Sequence, residues 1–286
     1  MLIFLQMISD KKNLAFTIAF GDQKYQSMAE ICKKSFELMN PNIEFKIFSD
    51  GDFTPYENIN KKLIYPKDFK YPKLEIFTKL KDKNTNYMFI DADSIINNNL
   101  SKYFDTINEG ELTIEYRLNK TGFWANINNL NFVETCKKAG LNDIKPYSIN
   151  SGFLMWRGHQ MCFDKALEYI LNYNLNDEKG LNGDEYYLCA AIQKCNTKIN
   201  QLNYEKFKIC KLWNENFKFT KNDLIISNKS SKEFDIIHYG NHNYYDLDLF
   251  KMLQKYNIEL KITPKFFIKS ILKTIKFNLK KLFRYG

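Results

Sequence analysis

The chain has 286 residues, of which 44% are hydrophobic, 16% aromatic and 26% charged, and its formal net charge is +9. This composition is typical of a folded globular protein and excludes a wholly disordered chain. No stretch approaches the ~18 uncharged apolar residues of a membrane-spanning helix. Residues 1–8 lack a basic start and a small-residue cleavage site, so we do not expect a signal peptide.

The first third of the chain alternates between short apolar runs and helical patterns. Apolar strands are predicted at 13–20, 44–48 and 87–90, and helices at 24–39 and 74–80. Strands that alternate with helices are typical of a mostly parallel α/β sheet with right-handed crossovers.

The rest of the chain is less regular. We predict strands at 112–116 and 152–156, helices at 161–173 and 184–193, and short apolar pieces at 225–226 and 235–239. There is no internal repeat and no Gly/Ser-rich linker. The simplest organisation is one domain over residues 1–260 followed by a tail, 261–286.

Cysteine spacing bears on the class of protein and on its compartment. The six cysteines are Cys32, Cys136, Cys162, Cys189, Cys195 and Cys210. None forms a C-x-x-C pair, which argues against a zinc ribbon or a thioredoxin-like motif. Several lie in apolar or helical surroundings, where a free cysteine acts as a small hydrophobe. Reduced cysteines and no export signal favour a cytoplasmic location.

Aspartate pairs of the form D-x-D are candidate metal ligands. The chain has three: Asp50/Asp52, Asp91/Asp93 and Asp246/Asp248. The first fits a turn after the second strand, and the third fits the start of a helix. The second follows an uninterrupted apolar strand, at the edge of the sheet where α/β proteins bind ligands. Two such carboxylates can share a divalent cation that binds a diphosphate, although the spacing alone leaves a chance match open.

Three further motifs carry polar groups. His238 ends a short apolar run, where a histidine is more often structural than a ligand. Asn150-Ser151-Gly152 is either a turn or a loop that presents amides to a ligand, with glycine permitting close approach. Asp184-Glu185 fits the first turn of a helix. If the two aspartates and the imidazole act together, they suit Mn²⁺ or Mg²⁺ better than zinc.

Together these motifs resemble the GT-A-fold nucleotide-sugar glycosyltransferases, in particular the family-eight retaining enzymes related to glycogenin and to bacterial lipooligosaccharide galactosyltransferases. The resemblance extends over roughly residues 13–245. It rests on Asp22 with Tyr25, Thr78-Lys79-Leu80, Asp91-Ala92-Asp93, Asn150-Ser151-Gly152, Asp184-Glu185 and Ile237-His238-Tyr239-Gly240.

The resemblance implies a GT-A fold and a metal-dependent transfer of a hexose from a nucleotide sugar, UDP-linked in the family, with retention of configuration. The acceptor is expected to be a saccharide or a lipid-linked saccharide. Asp91, Asp93 and His238 are then the ligands of Mn²⁺ (or Mg²⁺). The residues expected to bind the donor are Asp22, Tyr25, Lys79, Ala92, Asn150, Ser151, Gly152 and Gly240, and the catalytic pair is Asp184 and Glu185.

The chain departs from the family pattern in three places. The lysine that normally follows the Gly240 position and meets the diphosphate is missing. The connection from Lys79 to Asp91 is shorter than in glycogenin. Glu185 stands where the family has glutamine, and a carboxylate is a competent nucleophile where an amide is poor.

The last 26 residues hold eight Lys or Arg and no acid, so nearly all of the net charge lies in this tail. Apolar residues recur there at steps of three and four, which predicts a basic amphipathic helix. We prefer a peripheral anchor on the anionic inner face of the cytoplasmic membrane over a helix packed on the domain. The near-neutral body argues against nucleic-acid binding. An inverting enzyme and a non-catalytic nucleotide-sugar-binding domain remain open alternatives.

Overall fold

The structure is a computed structural model. It describes residues 11–20, 23–49, 52, 70–118, 130–145, 147–173, 184–202, 207–211, 217–219, 224–226 and 228–239. The predictions for Asp22, Gly240, the Asp246/Asp248 pair and the tail 261–286 lie outside the described residues.

Each strand and helix predicted between residues 13 and 239 has a counterpart in the structure. The helices are α1 (Gln23–Met39), α2 (Lys70–Lys79), α3 (Ser101–Phe104), α4 (Leu130–Lys138), α5 (Met161–Tyr173) and α6 (Asp184–Lys194). The strands are β1 (Lys12–Ile18), β2 (Glu44–Phe48), β3 (Thr85–Ile90), β4 (Ser94–Ile96), β5 (Glu111–Leu118), β6 (Tyr147–Arg157), β7 (Lys198–Gln201), β8 (Ile209–Lys211), β9 (Phe217–Phe219), β10 (Leu224–Ile226), β11 (Lys229–Ser230) and β12 (Ile236–His238).

The central sheet has six strands in the order β2-β1-β3-β6-β5-β7. β1 pairs in parallel with β2 and β3, and β5 pairs in parallel with β7. β6 is antiparallel to both of its neighbours, β3 and β5. The predicted mostly parallel α/β sheet flanked by helices is therefore confirmed, with β6 as its one reversed strand among the residues described.

The core of the sheet is built largely from aromatic side chains. β3 is buried along its whole length, as its apolar sequence predicts. Phe16 on β1 and Phe77 on α2 pack edge-on against Trp156 on β6, with ring centroids 5.8 and 5.3 Å apart. Phe163 on α5 packs edge-on against Trp156 at 4.9 Å. This cluster fixes α2 and α5 on one face of the sheet.

β6 contains a large irregularity next to the carboxyl end of β3. Ile114 of β5 pairs with Leu154 of β6, whereas the next residue, Glu115, pairs with Asn150. Three residues of β6, 151–153, are thus accommodated between two consecutive residues of β5. Such bulges re-aim side chains and are common next to functional sites.

A small second sheet, in the order β4-β12-β8, packs beside the end of β3. β4 begins at Ser94, three residues after Asp91, and pairs antiparallel with β12. β12 also pairs in parallel with β8. A chain segment more than 140 residues away in sequence is therefore brought beside the residues that follow β3.

Among the described residues, no helix has both the length and the apolar character needed to cross a bilayer.

Candidate metal centre

The backbone fixes the position of Asp91, Asp93 and His238. Asp91 directly follows β3, and its N–H donates to the carbonyl of Gly152 at 2.9 Å. In the β4–β12 pair, His238 lies opposite Ser94, the residue after Asp93. The N–H of Tyr239 donates to the carbonyl of Asp93 at 2.9 Å. Backbone hydrogen bonds therefore hold the three residues together, independently of their side chains.

The three side chains converge on one point. His238 Nε2 lies 2.9 Å from Asp93 Oδ1 and 3.8 Å from Asp91 Oδ2. One ligand atom from each residue lies within 4.8 Å of the other two. The cluster borders on solvent, because the Asp91 side chain is 31% exposed while that of His238 is 11% exposed. The sequence predicted this convergence of two acids and one imidazole.

Gly152 is needed for this arrangement. A Cβ atom at this position would lie 2.8 Å from Asp91 Oδ2 and 2.9 Å from His238 Cε1. Cβ atoms do not approach other heavy atoms that closely. The missing side chain of Gly152 lets the acid and the imidazole meet above the β6 backbone. Its predicted contact with a ligand stays a prediction.

Lys73 is the residue of this site that the sequence analysis missed. Its Nζ lies 3.0 Å from Asp184 Oδ2 and 3.4 Å from Asp91 Oδ1, and it donates to Ser151 Oγ at 3.0 Å. The residue is only 8% exposed. Lys79, the lysine predicted to approach the donor, instead pairs with Glu75 at 2.9 Å and donates to the carbonyl of Asp52 at 2.8 Å.

Asp184 and Glu185 form the first turn of α6, a helix whose residues from Asp184 to Gln193 are all buried. Ser151 Oγ donates to Asp184 Oδ2 at 2.7 Å. Glu185 Oε1 accepts hydrogen bonds from the Ser151 N–H and from Asn150 Nδ2, each at 3.1 Å. The β6 bulge and the start of α6 are thus joined by side-chain hydrogen bonds, which aim both acids toward the end of β3.

The described residues of the site hold more acidic than basic groups. Four carboxylates, those of Asp91, Asp93, Asp184 and Glu185, lie with one lysine and one imidazole in the part of the chain that the structure describes. Burial raises the pKa of Asp91 despite the nearby Lys73 ammonium. Burial also acts to raise the pKa of Asp93, but the adjacent His238 outweighs it and the net shift is downward. For Lys73, burial acts to lower the pKa, but Asp184 and Asp91 outweigh it and raise the pKa, so the lysine stays charged.

This donor set fits a divalent cation. Two carboxylate oxygens and one imidazole nitrogen are borderline-hard ligands that suit Mn²⁺ or Mg²⁺. The excess negative charge would be reduced by a cation at the point where Asp91, Asp93 and His238 meet. Gly152 leaves open the space that a Cβ would fill between the acid and the imidazole. The fit therefore rests on ligand chemistry, charge and space together.

Two other predicted donor-binding residues lie near this edge of the sheet. Tyr25 is half-buried in the first turn of α1, which follows β1. Ala92 lies between the two aspartates and is half-buried. After β2, the Asp52 N–H donates to the Ser49 carbonyl and the Ser49 N–H to Asp52 Oδ2, both at 2.8 Å. Asp50, the other acid of that pair, lies outside the described residues.

The comparison with known proteins identifies the fold. No protein-family model matches the chain, and no curated protein matches its sequence. Among solved structures, the chain is similar to glycosyltransferases and has the GT-A glycosyltransferase fold.

Three of those structures cover most of this chain. The galactosyltransferase LgtC in complex with donor and acceptor sugar analogues is 13% identical, with a TM-score of 0.50 over 88% of this chain and 98% of LgtC. An active-site mutant of LgtC, in which glutamine is replaced by glutamate, is 12% identical, with a TM-score of 0.51 over the same shares. The bifunctional glycosyltransferase WbbM is 10% identical, with a TM-score of 0.50 over 92% of this chain and 52% of WbbM.

Proposed function

We propose that this chain is a metal-dependent glycosyltransferase that moves a hexose from a nucleotide sugar to a saccharide or lipid-linked saccharide. The observation that carries the proposal is the convergence of Asp91, Asp93 and His238 at the carboxyl end of β3, beside the acids that begin α6. In open α/β sheets this edge is where nucleotides bind. The glycosyltransferases of the same fold support the reaction class.

Asp91, Asp93 and His238 would hold Mn²⁺ or Mg²⁺. When bound, the cation supplies positive charge to the two phosphates and to the nucleoside diphosphate as it leaves. Lys73 adds a second positive charge at the same place, and it is held there by Asp184 and Ser151. In the family pattern, a lysine after the Gly240 position neutralises the diphosphate. Lys73 is our candidate for that role in this chain.

The donor hexose would be oriented by the β6 bulge and the start of α6. Asn150, Ser151 and Asp184 offer amide, hydroxyl and carboxylate groups to sugar hydroxyls, and Gly152 permits close approach. Tyr25 and Asp22 would bind the nucleotide, which we propose is uridine. With the nucleotide held at one end and the hexose at the other, the anomeric carbon of the donor would lie beside Asp184 and Glu185.

Glu185 is the candidate for direct action on the anomeric carbon. Breaking the glycosidic bond gives that carbon oxocarbenium character, which a carboxylate stabilises or attacks. Because the family pattern has glutamine here, this chain carries a stronger nucleophile at that position. We propose retention of configuration, with Glu185 on the face of the sugar opposite the leaving group.

Glu185→Gln tests that role. The substitution keeps the size of the side chain and can keep the hydrogen bonds from Ser151 and Asn150. We expect kcat to fall by at least about a hundredfold, which is about 2.7 kcal/mol of transition-state stabilisation. A loss below about tenfold would remove Glu185 from a covalent or strong electrostatic role. The anomeric configuration of the product separates retention from inversion, in which Asp184 or Glu185 would act as a general base on the acceptor.

A thermal-shift screen of nucleotide sugars, with and without Mn²⁺, tests the proposed function as a whole. A ligand that binds only the native state raises the melting temperature. We expect a UDP-sugar to raise Tm only when Mn²⁺ is present, and Asp91→Asn to remove that shift. Stabilisation that persists in excess chelator would contradict the metal assignment. Binding without donor hydrolysis or transfer would identify a non-catalytic nucleotide-sugar-binding domain instead.

We propose further that the basic tail, 261–286, attaches the enzyme to the anionic inner face of the cytoplasmic membrane. Its lysines and arginine would meet acidic head groups while its phenylalanines insert. This arrangement suits a lipid-linked acceptor. A truncation after residue 260 should lose binding to vesicles that contain anionic lipid and keep its response to nucleotide sugars. Unchanged vesicle binding would refute the anchor.

A further inference from the structure

Lys73 occupies an unusual position, because its ammonium group is saturated by groups of the candidate active site. Its three contacts are Asp184 Oδ2 at 3.0 Å, Ser151 Oγ at 3.0 Å and Asp91 Oδ1 at 3.4 Å. An ammonium group has three N–H donors, so these three oxygens can satisfy it completely. Nζ also lies 4.7 Å from the ring centroid of Phe89, within the range of a cation–π contact.

Asp91 is shared between this ammonium and the candidate metal site. Its Oδ1 faces Lys73, whereas its Oδ2 faces His238 at 3.8 Å. A cation bound by Asp91, Asp93 and His238 would therefore be attached to the same carboxylate as Lys73. Two positive charges this close repel one another, most strongly where solvent is excluded.

Lys73 cannot easily withdraw from this contact. It lies on α2, whose Phe77 is packed against Trp156, and it is 8% exposed. Its partners Asp184 and Ser151 are also buried and are hydrogen-bonded to each other at 2.7 Å. The positive charge is thus a fixed property of the site, present before any ligand arrives.

We propose that Lys73 makes metal binding dependent on the nucleotide. By itself, the lysine opposes the divalent cation, because it already neutralises part of the charge of Asp91. A nucleoside diphosphate is attracted both to the Lys73 ammonium and to the divalent cation. Its negative charge therefore offsets the repulsion between them, and the cation binds more tightly when the nucleotide is present. Lys73 is thereby the residue that couples the two ligands, and this inference rests on the proposed function.

The coupling is reciprocal, since it is a free energy shared between two binding sites. If UDP increases the affinity for Mn²⁺ by a given factor, Mn²⁺ increases the affinity for UDP by the same factor. Removing the charge of Lys73 should raise the affinity for Mn²⁺ alone and reduce this factor. Substitution of a residue that only supported the fold would not raise the affinity for Mn²⁺ alone while lowering the enhancement of that affinity by UDP.

The experiment is a Mn²⁺ titration of the full chain, in which electron paramagnetic resonance measures free Mn²⁺ with and without UDP. We expect Lys73→Met to bind Mn²⁺ alone about tenfold more tightly than the wild type, and UDP to enhance that affinity about tenfold less. Lys73→Arg, which keeps the charge, should behave as the wild type. Lys138→Met is the control, because Lys138 is an exposed helical lysine on α4 that pairs with Glu134 and takes no part in the site.

The outcomes separate this inference from the proposed function. If the wild type binds neither Mn²⁺ nor UDP, the proposed function fails and the inference fails with it. If the wild type binds both but Lys73→Met binds Mn²⁺ no more tightly, only the inference is overturned. Lys73→Gln, which keeps a hydrogen-bond donor, is the second neutral variant should Lys73→Met not fold. If neither neutral variant folds in saturating Mn²⁺, a metal cannot replace the lysine charge, and the inference is also overturned.

Discussion

Two acidic clusters lie close together at β12, one buried and one bordering on solvent, and they differ in charge balance. In the first, the Asp235 cluster, the carboxylate of Asp235 accepts hydrogen bonds from Tyr103 Oη and, at 2.9 Å, from Lys102 Nζ. Asp235 is 2% exposed, so one buried acid is matched by one lysine and one hydroxyl. The second, the metal-site cluster, lies three residues further along the chain, at His238.

The metal-site cluster is not balanced in this way. It consists of Asp91, Asp93, Asp184, Glu185, Lys73 and His238. Among the described residues, these four carboxylates meet one lysine and one imidazole, and the Asp91 side chain is 31% exposed. Bringing like charges together costs free energy, which a bound cation would offset. The comparison teaches that clustered acids bordering on solvent, rather than a single buried acid matched within the fold, mark a candidate cation site.

The largest effect that the comparison predicts is on activity, at the metal-site cluster. Asp93→Asn removes a charged ligand, and we expect kcat/KM for nucleotide-sugar turnover to fall about a thousandfold, or about 4 kcal/mol. Turnover assays over a range of Mn²⁺ concentrations measure the loss. Asp105→Asn, at an exposed acid just after α3, is the control and should be without effect. A variant at position 93 that keeps full turnover would show that this acid is structural.

The next effect is on stability, at the Asp235 cluster. Asp235→Ala removes the carboxylate that accepts from the buried Tyr103 hydroxyl and from Lys102, and we expect the free energy of unfolding to fall by about 3 kcal/mol. Denaturant titration measures this loss. The Mn²⁺ affinity of the folded variant should stay within about threefold of the wild type, since β12 keeps its backbone pairing. A much larger loss of Mn²⁺ affinity would show that the two clusters act as one functional unit.

A smaller effect is expected at Gly152. The added methyl group of Gly152→Ala must displace Asp91 or His238, because its Cβ would lie within 3 Å of both. We expect Mn²⁺ affinity to fall about tenfold, or about 1.4 kcal/mol. Gly110→Ala is the contrasting variant: Gly110 has a φ of 76° and open space around its Cβ position. It should lower stability through backbone strain and leave Mn²⁺ affinity unchanged.

The smallest effect concerns pH and Tyr103. Burial and the adjacent Asp235 carboxylate raise the pKa of Tyr103 above its ordinary value. The group therefore stabilises the fold below the pKa of an unfolded tyrosine, about 10, and this contribution is lost as pH rises further. Tyr103→Phe should cost about 1 kcal/mol at neutral pH. We expect urea titrations to show a smaller gap between the two proteins as the pH rises above 10, and a constant gap would contradict the prediction.

Much of the fold could be predicted because its signals are local. The apolar runs of β1, β2 and β3 and the helical spacing of α1 and α5 are visible in the sequence. β4 was missed because it is three residues long, and its strand character depends on pairing with β12. The β6 bulge was also missed, since a change of register belongs to two strands and has no signature in either alone.

The residues of the candidate metal centre were predicted only in part, for a similar reason. Asp91 and Asp93 form a D-x-D pair directly after the apolar strand β3, and His238 ends β12. Lys73 lies within a helix, and no local pattern marks it. The resemblance selected Lys79 through its Thr-Lys-Leu motif, although the connection from Lys79 to Asp91 is shorter than in glycogenin. Only the three-dimensional packing of α2 shows which lysine reaches the acids.

The bulge in β6 has a consequence for protein engineering. Pairing with β5 resumes at Asn150, so residues 151–153 form an insertion flanked by regular strand on both sides. On its other side, however, Phe153 pairs with Ile90 of β3, and Ser151 and Gly152 contact Lys73, Asp91 and His238. Changes in the length of this short segment would therefore move the candidate metal centre first, whereas exchanges at residues 147–149, before the bulge, would leave its contacts in place.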